Sequence, residues 1–331
     1  MSSSRRERGL VTALALLAAV APVTGAQNPG AVQTPPAAPT PSAVPAPPPL
    51  LSKAYGRTKV EVQTARANPG GVFALLVRGG RWASANTLLD GRRGSIALEA
   101  GKLFGLIPLA LDTEPAEHKL SLFFPGGRRR GGSVSVMVPV TAVARPTRPR
   151  TLSPEALASA ASQTALGHGR YLLAAIRTRD LKAYQSGPLR PPVDAPVVFP
   201  FGGAEDYGME MGPAKDGLMG EHHRGIDYDV PAGTTVKAPG SGIILLARSL
   251  VFSGETVAIG HGGGLVSVLS HLTHVSVREG DVVNTGTAVG TSGKTGIGAL
   301  TPHLCFSVYL HSLNVDPEAL MDASLWPATG K

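Results

Sequence analysis

From about Pro188 onward, the chain consists of short strand-like runs that are separated by glycines. The runs are 242–247, 256–259, 265–272, 287–289 and 304–310. The whole chain of 331 residues holds 41 glycines and 29 prolines, which favour tight turns and short strands over a helical bundle. The sequence therefore predicts an all-β domain over 188–331.

A second β region precedes this domain, over residues 53–147. Apolar residues alternate with polar ones in two stretches, at Leu120, Leu122 and Phe124 and again at Val134, Val136 and Val138. A period of two places each set on one face of a strand. Burying one face of each sheet is what a sandwich achieves, so we expect a β-sandwich-like domain. The predicted fold class is mainly β.

A short helical connector is expected between the two domains, over 148–187. Ser153 is a plausible N-cap, and Pro154 suits a first helical turn. Apolar residues then follow near helical spacing at Leu172, Leu173 and Ile176. Glycines 167 and 169 should split the stretch into two pieces, because glycine is a poor helix former.

The N-terminus predicts export. Residues 1–26 combine a basic start, an apolar run over 10–21 and small residues at 24–26, which is typical of a signal peptide. About a dozen apolar residues are too few to span a bilayer core of about 30 Å, and no integral membrane segment is expected in the mature chain. Residues 27–52 form a Pro/Ala-rich linker. We expect a protein of the periplasm, the cell wall or the extracellular space.

Charge and cysteine content narrow the classes of function. The formal net charge of +8 suits a polyanionic cell wall or membrane surface. Only 5% of residues are aromatic and no recognition motif is present, so no nucleic-acid partner is expected. A single cysteine excludes a disulfide framework and any cysteine-rich zinc module.

Seven of the nine histidines fall between positions 222 and 311, which indicates a site in the C-terminal domain. His223 and Asp227 are four residues apart. That spacing would align them on a helix, but Gly225 argues against one, so a bend that leads into a strand must bring the two side chains together. His271 ends another strand-like run.

The run 304–310 adds a second group of polar side chains. Strand alternation points His303, Cys305 and Ser307 to one face, where Ser307 could line a groove. Three protein ligands with nitrogen, oxygen and sulfur donors, plus one open position, would describe a catalytic zinc site.

Three segments carry a resemblance to a known family. They are HHRGIDYDVPAGTTVKAPGSGII, TVAIGHGGGLVSVLSHLTHVSVREGDVVNTGTAVGTSGKTG and TPHLCFSVYLHSLNVDP. Together they resemble the lysostaphin-type zinc endopeptidases, bacterial hydrolases that cut peptide bonds in peptidoglycan. The resemblance covers about 197–320, and 58–147 is similar to family members with an N-terminal β-sandwich.

The resemblance implies a set of roles. His223 and Asp227 match two zinc ligands, and Cys305 stands where the family has a third, histidine ligand. His271 and His303 match the catalytic histidines. Of these two, one would accept a proton and the other would stabilise charge on the tetrahedral intermediate; the sequence leaves open which does which.

A thiolate at position 305 changes the charge of such a site. With Cys305 and Asp227 both anionic, a divalent ion gives a neutral site, whereas the family's ligand set leaves one positive charge. A less positive site lowers the pKa of a metal-bound water by a smaller amount. The sequence therefore predicts slower hydrolysis than with the family's ligand set.

Two functions therefore stand as hypotheses. The first is an exported zinc-dependent metalloendopeptidase that hydrolyses peptidoglycan. The alternative is a catalytically impaired relative that binds the cell wall or activates another cell-wall hydrolase; Cys305 favours it, and the retention of His223, Asp227, His271 and His303 argues against it. The string VREGDVVNTGTAVG resembles the turn of biotinyl and lipoyl carrier domains, but no lysine stands at the equivalent turn.

Overall fold

The computed structural model describes residues 50–79, 84–99, 102–125, 132–177, 185, 187–206 and 222–326. The predicted signal peptide, 1–26, lies outside these residues, as does the predicted linker up to residue 49. Strands hold 49% of the residues and helices only 12%, so the mainly β fold class is confirmed. None of the described helices is both long and apolar enough to cross a bilayer.

The N-terminal domain is one antiparallel sheet of eight strands, in the order β1-β2-β3-β6-β5-β4-β7-β8. Its strands are β1 (Leu51–Tyr55), β2 (Thr58–Arg66), β3 (Val72–Arg78), β4 (Ser84–Leu89), β5 (Arg92–Glu99), β6 (Lys102–Pro108), β7 (Glu117–Phe124) and β8 (Gly132–Pro139). The sheet curls so that its first and last strands meet, where the Tyr55 hydroxyl donates a hydrogen bond of 2.8 Å to the carbonyl of Ser135.

The predicted alternation sets the core of this domain. Leu120 pairs with Val136 and Leu122 with Val134 across β7 and β8, and all four side chains are buried. A curled sheet encloses a core on its inner face much as the two sheets of a sandwich do. The sandwich-like core that the sequence predicted is therefore formed by one continuous curled sheet. The domain limits of 53 and 147 stay predictions.

The connector consists of β9 (Thr147–Pro149), α1 (Pro154–Ala160) and α2 (Gln163–Ile176). Ser153 caps α1 as predicted, because its side chain accepts a hydrogen bond from the amide of Ala156. The predicted break at glycines 167 and 169 is wrong, since α2 runs through both. The helices separate at Ser162 instead, whose hydroxyl accepts from the amide of Ala165 and starts a new helix.

The C-terminal domain is built on a ten-stranded sheet whose main path runs β10-β12-β19-β16-β15-β14-β17. The elements that follow the connector are β10 (Val197–Phe199), β11 (Ala204–Asp206), β12 (Ile226–Tyr228), β13 (Thr235–Lys237), β14 (Gly242–Leu250), β15 (Gly254–Gly262), β16 (Leu265–Val275), β17 (Val282–Val283), β18 (Ala288–Ser292), β19 (Leu304–Leu310), β20 (Leu313–Val315), α3 (Pro317–Met321) and a 3-10 helix at Ala323–Leu325. Each of the five predicted runs overlaps a strand. Strand β11 is not part of this sheet; it pairs in parallel with β9 of the connector.

The two faces of β19 separate the core from the site. Leu304, Phe306 and Val308 are fully buried in the main core of the domain. The alternating residues Cys305 and Ser307 face a cavity on the other side. Strand alternation therefore places the side chains of Cys305 and Ser307 on the cavity side of β19.

Candidate metal centre

Adjacent strands position the candidate ligands. Asp227 on β12 pairs with Cys305 on β19, and Cys305 also pairs with Ser270 on β16. Just before β12, a side chain at Gly225 would come within 2.6 Å of the Phe306 carbonyl oxygen. Glycine therefore lets the chain pass close to β19, which is the bend that the sequence required between positions 223 and 227.

The three candidate ligands converge. The Nε2 atom of His223 lies 2.9 Å from Oδ1 of Asp227 and 3.5 Å from Sγ of Cys305. One donor atom from each of the three residues lies within 4.8 Å of the others. The structure thus brings together the residues that the sequence singled out.

The donor atoms fit a cation. The Nδ1 atom of His223 lies 3.2 Å from the carbonyl oxygen of Pro200, which can only accept, so Nε2 is the nitrogen left for a metal. Oδ1 of Asp227 is buried and accepts no hydrogen bond from the described residues. A nitrogen, an oxygen and a sulfur around one point match the donors that zinc binds.

The ionisation of the two acidic groups differs. Burial opposes ionisation of Asp227, but the positive charges of His223, His303 and Arg148 outweigh it and hold its pKa far below the usual range. Burial, followed by the charge of Asp227, raises the pKa of the Cys305 thiol well above its usual value. Cys305 is therefore a thiol in the absence of metal, and a metal that bound its sulfur would displace the proton.

His271 and His303 form a pair beside the ligands. Their ring centroids are 4.7 Å apart, and Nε2 of His303 lies 3.8 Å from Oδ1 of Asp227. Nδ1 of His271 donates to the carbonyl of Thr295 over 2.9 Å, and Nδ1 of His303 donates to that of Thr301 over 2.7 Å. When the rings are neutral, each therefore keeps its lone pair on Nε2.

His271 is held in a strained conformation. Its φ of 64° lies in the left-handed region, which residues other than glycine seldom adopt. Burial, reinforced by the charge of His303, lowers its pKa to about 4. Strain of this kind persists where the surroundings fix a residue, and it is concentrated at functional sites.

An ion-pair network from the connector also reaches Asp227, and no sequence pattern indicated it. Nη1 of Arg148 on β9 donates to Oδ2 of Asp227 over 2.7 Å, and its Nε and Nη2 donate to Oε1 of Glu205 on β11. The charges and hydrogen bonds of both carboxylates outweigh burial and raise the pKa of Arg148. Arg148 lies 79 residues before Asp227 in the sequence, so no local pattern could indicate that the two residues meet.

All five predicted site residues line one cavity. Arg148, Arg150 and Leu152 of the connector line it as well, together with Ser307 of β19. Arg150 is buried, with Nη2 donating to the carbonyl of Gly298. Three donors for a metal next to two histidines in one cavity could support metal-assisted hydrolysis.

Comparison with known proteins agrees with this class. Residues 221–317 match the model of peptidase family M23, so this segment of the chain is an M23 peptidase domain. The resemblance to the lysostaphin-type endopeptidases is confirmed.

Two curated relatives and one solved structure show how far the similarity extends. An uncharacterized metalloprotease from Buchnera aphidicola is 35% identical over 98 residues, which cover 30% of this chain and 26% of the relative. The peptidoglycan DD-endopeptidase ShyA from Vibrio cholerae is 32% identical over 94 residues, which cover 28% of this chain and 22% of ShyA. The chain thus spans about a quarter of the length of these relatives.

The structural similarity is more extensive. A crystal structure from Pseudomonas aeruginosa, described as that of an M23 peptidase, superposes with a TM-score of 0.56 at 26% identity. The superposition covers 78% of this chain and 97% of the other. Such coverage extends beyond the peptidase domain into the residues that precede it.

Proposed function

We propose that the protein is an exported, zinc-dependent endopeptidase that hydrolyses peptide bonds in bacterial peptidoglycan. The observation that carries this proposal is the convergence of His223, Asp227 and Cys305 beside two histidines in a cavity of an M23 peptidase domain. The name of ShyA, a peptidoglycan DD-endopeptidase, supports the substrate class. The N-terminal residues 1–26 support export to the periplasm, the cell wall or the extracellular space.

His223, Asp227 and Cys305 would hold the zinc ion. When bound, zinc supplies a Lewis acid and lowers the pKa of a coordinated water. The thiolate of Cys305 makes the ligand set more negative than two histidines and a carboxylate would. We therefore propose an enzyme that is active but slower than it would be with histidine at position 305.

The two cavity histidines divide the proton chemistry. We assign to His303 the role of accepting the proton of the attacking water. Its Nε2 lies 3.8 Å from Oδ1 of Asp227, which is one of the proposed metal ligands. The imidazolium that results can donate its proton to the leaving amine. His271 has a pKa of about 4 and stays neutral at pH 7, so its Nε2 can accept a hydrogen bond that orients the reacting groups.

Digestion of purified peptidoglycan tests the proposal. The protein is added to dye-labelled cell walls with and without a zinc chelator, and the His223→Ala variant is the matched negative control. We expect the protein to release soluble dye from the walls, the chelator to lower the amount released, and added zinc to restore it. If the protein pellets with the walls and releases no dye under any of these conditions, the impaired wall-binding alternative is correct and the proposal is wrong.

A further inference from the structure

The connector contacts the candidate metal centre through an ion pair between Arg148 and Asp227. Oδ1 of Asp227 faces the ligand atoms of His223 and Cys305, while Oδ2 accepts a hydrogen bond of 2.7 Å from Nη1 of Arg148. The two oxygens of one carboxylate thus have separate partners. A carboxylate fixed through one oxygen presents the other in a set direction.

Arg148 is itself fixed on two further sides. Its Nε and Nη2 lie 3.1 and 2.5 Å from Oε1 of Glu205, and the two residues are paired in register on β9 and β11. Its guanidinium carbon lies 3.8 Å from the centre of the Phe199 ring, which in turn packs 5.3 Å from the ring of His223. Only a planar fork can bridge two carboxylates and stack on a ring at the same time.

Resting on the proposed function, we propose that Arg148 is a positioning residue of the metal centre, which clamps Asp227 so that Oδ1 points at the zinc site. The residue comes from the connector, outside the 221–317 match to the peptidase family. A centre made from that match alone would lack this clamp. The parallel pairing of β9 and β11 is thereby part of the site, since it carries both Arg148 and Glu205.

Zinc affinity of the full-length protein tests the clamp, measured by competition with a chromogenic chelator. Arg148→Gln should weaken zinc binding by about 10- to 100-fold, the usual effect of removing a partner of a metal ligand. Arg148→Lys keeps the charge but loses the fork, so it should restore only part of the affinity. In cobalt-substituted protein, the thiolate-to-metal absorption should change in both variants.

Arg248→Gln is the matched control. Arg248 also binds a glutamate, Glu279, through Nε and Nη2 and lies 4.7 Å over an aromatic ring, that of Tyr171, but it is not among the residues that line the cavity. Its zinc affinity should equal that of the wild type. Thermal melting of every variant separates a loss of fold from a loss of the clamp, and Arg148→Lys covers the case in which Arg148→Gln does not fold.

The outcomes distinguish the two proposals. A wild type that binds no zinc overturns the proposed function, and with it this inference. If the wild type binds zinc and the folded Arg148 variants bind it equally well, only the inference is wrong. Unchanged zinc affinity combined with faster wall digestion would also overturn it, because Arg148 would then obstruct the cavity.

Discussion

Asp227 and Cys305 are direct partners across β12 and β19, so their side chains emerge on the same face of the sheet. The register of two neighbouring strands therefore fixes the spacing of an oxygen and a sulfur donor. His223 joins them from the segment just before β12, with Nε2 2.9 Å from Oδ1 of Asp227. The sheet itself holds two of the three candidate ligands.

Substitution of Cys305 tests the sulfur ligand. Cys305→Ala should lose most of its zinc, because it leaves only two protein donors. Cys305→His should keep zinc and digest peptidoglycan faster than the wild type, because a neutral ligand leaves the site more positive. Zinc content by atomic spectroscopy and dye release from cell walls are the two measurements. Equal zinc in the wild type and in Cys305→Ala would contradict the ligand role.

Removal of the cavity histidines should separate catalysis from metal binding. His303→Ala and His271→Ala should each lower the rate of wall digestion by about 10²- to 10⁴-fold, with zinc content unchanged. His274→Ala is the control, since this exposed histidine lies three residues from His271 on the same strand. A loss of rate in the control equal to that in the other two variants would rule out a specific role.

Protonation of His261 should make stability depend on pH. This histidine is buried and hydrogen-bonded to the carbonyl of Ser241 and the hydroxyl of Ser267, and burial lowers its pKa to about 4. Its stabilising contribution is full above the unfolded pKa of about 6.5 and is lost as pH falls toward 4. The loss should be about 3 kcal/mol, at 1.36 kcal/mol per unit of pKa.

Urea unfolding between pH 7 and pH 4 measures this dependence. His261→Asn keeps a donor near the Ser241 carbonyl and removes the titrating group, so its unfolding free energy should fall less over that range. Parallel pH profiles for the wild type and the variant would show that His261 is not responsible.

Two glycine substitutions should have opposite effects. Gly225→Ala should lower the unfolding free energy by about 1–3 kcal/mol, because the new methyl group would meet the backbone of Phe306 at 2.6 Å. Gly167→Ala in α2 meets no atom within 4 Å and should raise it by about 0.5–1 kcal/mol. Chemical unfolding measures the free energy of unfolding of both variants. If Gly225→Ala left this free energy unchanged, the steric argument for glycine at the bend would be wrong.

Local patterns predicted the strands and the near neighbours in the site. Alternation placed Cys305 and Ser307 on the cavity side of β19, and the glycine at 225 indicated the bend between His223 and Asp227. These features depend on a few consecutive residues and the geometry of an extended chain.

Contacts between distant segments could not be predicted in the same way. Arg148 reaches Asp227 because β9 pairs with β11, and three-residue strands leave no periodic signal. The left-handed conformation of His271 depends on its surroundings rather than on its neighbours in sequence. The helix break at Ser162 was open to prediction, since serine is a favoured N-cap residue whose hydroxyl can start a new helix.

The raised pKa of Cys305 also affects how readily its thiol is oxidised. Oxidants attack the thiolate rather than the thiol, so a side chain that burial keeps protonated reacts slowly with peroxide or with a passing disulfide. The chain has no second cysteine with which to form an internal bridge. If the protein is exported and binds zinc as proposed, its sulfur donor therefore stays reduced in an oxidising compartment until the metal binds.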